Sequence, residues 1–227
     1  TYNPRYYEVL YEGYGLGKVK DLHAYILDQN TFVSDKMSRL VDVIRKRSEI
    51  TIREVNFKDK KAFLRDVETL KGIYNSAWQP NWGFVKFTDE EFDFLAADLK
   101  QIANPAYTLI AEVKGKVAGF ALALPDINQC LVHNKSGSLL GALWHLFTKK
   151  SSINLLRIIV LGVLPEFQKH GVDAVLYQEI GARGLPRGIK YGEASWILED
   201  NEPMKKALTT TMHGTVYKTY RMYQLPI

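Results

Sequence analysis

The stretch Val163-Leu164-Pro165-Glu166-Phe167-Gln168-Lys169-His170-Gly171-Val172-Asp173-Ala174 is where residue type and spacing point most directly to chemistry. An apolar run ends, a short turn follows, and a helix-forming segment begins at a glycine. Such a turn aligns several backbone N–H groups with the positive end of a helix dipole, which suits a pyrophosphate and needs no particular side chain. Gly171 lets the backbone come close to a ligand. A single glycine at an ordinary α/β turn reads the same way, so the surrounding elements must decide.

Those elements come from a chain of 227 residues with 46% apolar and 24% charged side chains, enough for one substantial core and a small appendage. The net charge of +5 and pI of about 9.1 suit an anionic ligand. The basic residues are scattered, with short runs only at Arg45–Arg47 and Lys58–Lys61, so nucleic acid is not expected as a partner. Cys130 is the sole cysteine, which excludes an internal disulfide and a multi-cysteine metal site; no metal is expected, and a reducing cytoplasm fits. The apolar stretches Ser138–Phe147 and Leu155–Leu164 are too short to span a bilayer, and no signal peptide is read at the start.

Periodicity places a helix from Ser34 with Met37, Leu40, Val41 and Ile44 on one face, then a strand at Ile50–Arg53. A helix carrying Phe63, Val67, Leu70 and Tyr74 runs into a loop through Trp78, Asn81, Trp82 and Phe84. Thr88 with Glu91 is a capping box opening the next helix. Tyr107–Val113 and Val117–Leu124 flank Lys114-Gly115-Lys116 as a hairpin. Residues 127 to about 153 read as irregular chain around an apolar segment (Leu139, Leu140, Leu143, Trp144, Phe147). Leu155–Leu164 then reads as a central strand, followed by a helix from about Gly171 to Ala182, a strand at Glu193–Leu198, a helix at Glu202–Thr210 and a last strand at Val216–Tyr223. From Ile50 the order is β-α-α-β-β-β-α-β-α-β.

Gln168 and Gly171, led in by Val163, Pro165 and Glu166, resemble the coenzyme A signature of the GCN5-related N-acetyltransferase (GNAT) superfamily, and the element order over roughly residues 50–225 is similar to that of the family. The resemblance implies an α/β GNAT fold, a mixed central sheet with helices on both faces, and acetyl-CoA or another acyl-CoA as co-substrate. It implies that the backbone at Leu161–Val163 pairs with the pantetheine arm, that Gln168, Lys169, His170, Gly171, Val172, Asp173 and Ala174 surround the pyrophosphate, and that Asn201 lies near the cofactor. Two positions depart from the family pattern. Asp173 replaces a Gly or Ala and sets a carboxylate beside a polyanion, and Leu208 stands where a thiolate-protonating Tyr is common.

N-acetyl transfer needs a neutral amine and therefore a base. The family often places a Glu on the strand before the turn, but Leu155–Leu164 has none, which leaves Glu193, Glu199, Asp200 and Asp126 with Asn128. Glu193 and Asp126 are the favoured catalytic candidates because strand ends beside the splay would face the acceptor cleft, and a cap or a solvated charge is the plainer reading of each. Trp78, Asn81 and Trp82 lie in the loop that borders the acceptor site in this family, and Asn128 follows the hairpin; they are the expected substrate contacts for a small-molecule amine or peptide acceptor. The apolar segment near Leu139–Phe147 is open to reading as a lid, a dimer contact that would make a homodimer, or a membrane-surface patch. Residues 1–33, with Asn3 to Leu16 paralleling Asn201 onward, resemble the end of a preceding GNAT-like repeat; 34–48 is then a linker helix and 49–227 the GNAT domain with an insertion at about 127–153. The functions implied are acyl-CoA-dependent N-acyltransfer, or a non-catalytic binding module of the same fold, or a tandem-GNAT transferase using aminoacyl-tRNA.

Overall fold

The computed structural model describes residues 3–32 and 35–226. In chain order the elements are α1 (Tyr6–Gly13), β1 (Gly17–Asp28), α2 (Gln29–Phe32), α3 (Asp35–Arg47), β2 (Ile50–Glu54), α4 (Lys60–Trp78), α5 (Asp89–Ile102), β3 (Thr108–Val113), β4 (Lys116–Pro125), α6 (Asn128–Leu131), α7 (Leu139–Lys149), β5 (Leu155–Val163), α8 (Val172–Gly184), β6 (Tyr191–Leu198), α9 (Glu202–Lys206) and β7 (Thr215–Gln224). The expected α/β class and the expected order from Ile50 are observed, with α6 and α7 added between β4 and β5. The expected helix start at Ser34 lies outside the described residues.

Local signals account for most boundaries. Thr88 accepts the Glu91 N–H while the Glu91 carboxylate accepts the Thr88 N–H, the reciprocal cap read from the sequence. Asp59 caps α4 through the Ala62 N–H. Lys114 and Gly115, at φ 52° and 75°, make the tight turn of the β3–β4 hairpin.

The chain forms two compact units. Residues 28–192 carry the antiparallel strands β2, β3, β4 and β5 in that order. Val55, Ile73, Ile110 and Phe120 centre its core, with Phe63, Leu70, Tyr74 and Trp78 of α4 packed around them. Ile159 is an extra residue on β5, since Leu122 pairs with Val160 and Ala123 with Ile158, and this bulge bends the strand just before the turn.

The second unit joins residues 1–27 to residues 193–227. There β1 lies between β6 and β7, pairing antiparallel with β7 from Gly17↔Gln224 to Ile26↔Thr215. The boundaries of this division differ from the expected 1–33, 34–48 and 49–227, because β1 packs with the last strand. Asp21, nearly buried on β1, receives a bidentate pair from Arg221 of β7 at 2.9 and 3.0 Å and a contact from Lys18 at 3.0 Å. The Arg221 guanidinium holds the Asp21 carboxyl down at about 2. A carboxyl depressed in the fold stabilises it fully above the unfolded value and loses that contribution as pH falls through the folded value. Asp21→Asn is therefore expected to cost about 2 kcal/mol at pH 7 and much less at pH 2. Urea melts at both pH values check this, and equal losses would show that the pair is not an ionic contribution.

Residues 127–153 correct the irregular segment expected from the sequence: they form α6 and α7. Ser138 caps α7 by accepting the Gly141 N–H at 3.1 Å, and Asn134 Nδ2 donates to the Ser138 carbonyl at 2.9 Å. Leu139, Leu140, Leu143, Trp144 and Phe147 share one helical stripe, and that stripe faces solvent. Cys130 of α6 is fully buried and its thiol is raised by burial, so it packs as a small apolar side chain.

Candidate functional site

The turn after β5 is a short 3-10 segment, Pro165–His170, closed by Gly171 at φ +73° and ψ +25°. That left-handed residue starts α8 with no side-chain cap, and the Val175 N–H is the first to reach an acceptor, the Gly171 carbonyl at 3.2 Å. The N–H groups of Val172, Asp173 and Ala174 thus precede the helical hydrogen-bond ladder. A Cβ at Gly171 would lie 2.8 Å from Ile44 Cγ2, so α3 packs directly against the turn. Ser48 Oγ donates to the His170 carbonyl at 3.2 Å and anchors the same loop. His170 Nδ1 is buried and has no hydrogen-bond partner among the described residues. Gln168 and Lys169 are exposed, whereas Val172 is buried.

Asp173 occupies the first turn of α8, and its carboxylate adds to burial in raising the phenol of Tyr177, one turn further on. Leu161 is half-buried and Val163 buried, opposite Ala121 and Gly119 of β4. Gly162 between them lies against the Trp78 ring: a side chain there would collide with it. Trp78 stacks on Tyr74 at 4.9 Å, and Tyr74 adjoins Phe87 and Phe92 at 5.4 and 6.1 Å. This aromatic column leads from the strand before the turn to an apolar cleft between α4, α5 and the sheet. Its walls are apolar (Val67, Leu70, Leu95, Leu99, Phe120 and Val160 among them), and Lys100 at its edge sets Nζ 4.1 Å above the Phe63 ring.

Of the other expected substrate contacts, Trp82 is exposed, and Asn81 turns the loop by donating its N–H to the Trp78 carbonyl and accepting from Phe84 N–H. Asp126 and Asn128 are engaged with each other: Asp126 Oδ1 accepts the Asn128 N–H and Nδ2 at 3.2 and 2.8 Å, starting α6.

In the other unit Glu193 is only 3% exposed. Its carboxylate accepts from Ser195 Oγ at 2.6 Å, from the Tyr217 hydroxyl, and from Lys218 Nζ at 3.3 Å; Lys218 also donates to the Tyr217 oxygen at 2.8 Å. Glu193 and Ser195 stand on β6 and Tyr217 and Lys218 on β7, two strands away, with Ala24 of β1 paired to Lys218. Sequence reasoning missed Tyr217 and Lys218, because nothing local ties them to Glu193. Asn201 caps α9 by accepting the Met204 N–H at 3.2 Å. Leu208 is wholly buried in a π turn (Ala207–Thr211), so no hydroxyl is offered there.

No protein-family profile matches the chain. It is 32% identical over 98% of its length to Protein YghO of Escherichia coli (strain K12), and 32% identical over 98% to the Bacterial ceramide synthase of Caulobacter vibrioides (strain NA1000 / CB15N). The chain spans 57% and 58% of those relatives. Among solved structures it superposes on a GCN5-related N-acetyltransferase from Sphaerobacter thermophilus with a TM-score of 0.61 at 14% identity, covering 96% of this chain and 55% of that one.

Proposed function

This chain has the GCN5-related N-acetyltransferase fold, and on that premise we propose that it transfers an acyl group from a CoA thioester to the amine of a lipid. The observation that carries the reading is the strand–turn–helix at β5–Gly171–α8, with its left-handed glycine, its uncapped helix start and its backing by Ile44. In this reading the backbone of Gln168–Ala174 holds the pyrophosphate and that of Leu161–Val163 lines the pantetheine arm, with strand N–H groups polarising the thioester carbonyl. The amine nitrogen bonds to the carbonyl carbon, the C–S bond breaks, CoA departs as the thiolate, and the amine gives up a proton. Glu193, held by Tyr217 and Lys218, is the proposed acceptor of that proton.

Two observations favour a long hydrocarbon over an acetyl group. One 32%-identical relative is named a ceramide synthase, and ceramide is an N-acylated long-chain amine. The cleft beside the Trp78 column is walled by apolar side chains, the lining that suits an alkyl chain.

Calorimetric titration with free CoA, acetyl-CoA and palmitoyl-CoA tests the proposal, followed by amine-dependent thiol release with sphinganine. Micromolar binding of all three, tightest for palmitoyl-CoA, is the expected result; a folded protein that binds none of them would refute it. Asp173→Ala removes a carboxylate from the pyrophosphate's surroundings and is expected to tighten CoA about threefold to tenfold. Unchanged affinity would mean that the carboxylate acts only on Tyr177 and the helix end.

A further inference from the structure

Helix α7 is inverted. A helix on a globular surface normally turns its large apolar side chains inward and its polar ones to water. Here Gly141, Ala142, His145 and Leu146 are half-buried, whereas the larger set Leu139, Leu140, Leu143, Trp144 and Phe147 faces out. Trp144 is 67% and Phe147 89% exposed. The outward residues are contiguous, forming a single patch, and the Ser138 cap with its Asn134 support fixes the helix at its start. A patch of this kind on an otherwise ordinary surface marks an interaction site.

Charge identifies the partner. From Ile127 to Pro165 the sequence contains no Asp or Glu, against Lys135, Lys149, Lys150 and Arg157. Lys135 and Lys150 are exposed on either side of α7. An apolar stripe with Leu, Trp and Phe, bordered by lysines and free of carboxylates, is complementary to an anionic lipid surface: the apolar face enters the acyl boundary and the lysines meet the headgroups. A second copy of this chain would offer its own lysines to these, like charge against like. Among the described residues no helix is long and apolar enough to cross a membrane, so the contact is peripheral.

We infer that α7 docks this protein on the surface of an anionic bilayer. The inference rests on α7 alone and stands or falls separately from CoA binding, which the titration above reads. It deepens the proposed function in one respect: it brings the catalytic domain to the surface where a lipid amine resides.

Flotation of the full chain with phosphatidylcholine vesicles, with and without phosphatidylglycerol, tests it. The expected result is partitioning onto the anionic vesicles. Phe147→Ser and Trp144→Ser, on side chains that support no core, should each weaken it about tenfold, and Lys149→Glu with Lys150→Glu should weaken it further while restoring salt sensitivity to that of neutral vesicles. Thermal melts of the variants should match wild type. Absence of vesicle binding overturns the inference; so does a wild-type dimer that Phe147→Ser dissociates without any lipid effect, which would assign the stripe to a second copy. Binding that is indifferent to Phe147 and Trp144 would also overturn it.

Discussion

Gly171→Val is expected to lower CoA affinity at least tenfold and to destabilise the protein by about 3 kcal/mol. A β-branched residue at φ +73° pays roughly 1–2 kcal/mol for the left-handed backbone. Its Cβ also meets Ile44 Cγ2 at 2.8 Å, so either α3 or the turn must move. Relief through the turn would rotate the N–H groups of Val172–Ala174 away from their common direction, which is why binding falls along with stability. The mechanism can be isolated by a double-mutant cycle of Gly171→Ala with Ile44→Ala. The two are expected to couple favourably by about 1 kcal/mol, because the truncated residue 44 leaves space for the new methyl. Strict additivity would show that α3 does not back the turn, and wild-type CoA affinity in Gly171→Val would remove the turn from the binding site.

Glu193→Gln is expected to lower turnover about a hundredfold or more while leaving CoA affinity within twofold. Glutamine keeps the volume; its carbonyl oxygen can accept from Tyr217 while its NH2 donates to Ser195 Oγ, so the β6–β7 cluster should stay assembled. Lys218 loses its ionic partner, but its side chain is 43% exposed and can turn to water at small cost. Asp126→Asn is the control: its carboxylate already serves the Asn128 turn, and its substitution should change turnover by less than threefold. Turnover of Glu193→Gln close to wild type would sink the assignment of the base. A parallel loss of CoA binding would instead make Glu193 a structural residue.

What the sequence conveyed about this fold follows from the range of each interaction. The Thr88–Glu91 box, the Lys114–Gly115 turn and the Asn201 cap are settled within a few residues, and all were legible. The glycine-started helix α8 was legible too, because a left-handed residue at a strand-to-helix turn has few occupants. Helix α7 was misread as irregular since its short apolar stripe lies between glycine- and serine-containing turns, and hydrophobic spacing cannot say whether a stripe meets a core or solvent. Glu193 was picked out without its partners, since Tyr217 and Lys218 stand on a strand that is placed by β1, from the opposite end of the sequence, entering between β6 and β7. The Asp126–Asn128 turn is short-range, a carboxylate hydrogen-bonded to an amide two residues on.

The pairing of Gly17 with Gln224 also bears on how the molecule is made. β1 leaves the ribosome long before its neighbour β7, so it must remain without that neighbour while the chain between them is made. Residues 28–192 form a continuous compact unit and can collapse in the meantime. During that interval Tyr25 and Leu27, both buried in the finished fold, stand on an open strand edge of the kind that invites intermolecular pairing. The close approach of Glu193, Tyr217 and Lys218 completes only when that wait ends, so the proposed proton-handling cluster cannot assemble before β7 has been made.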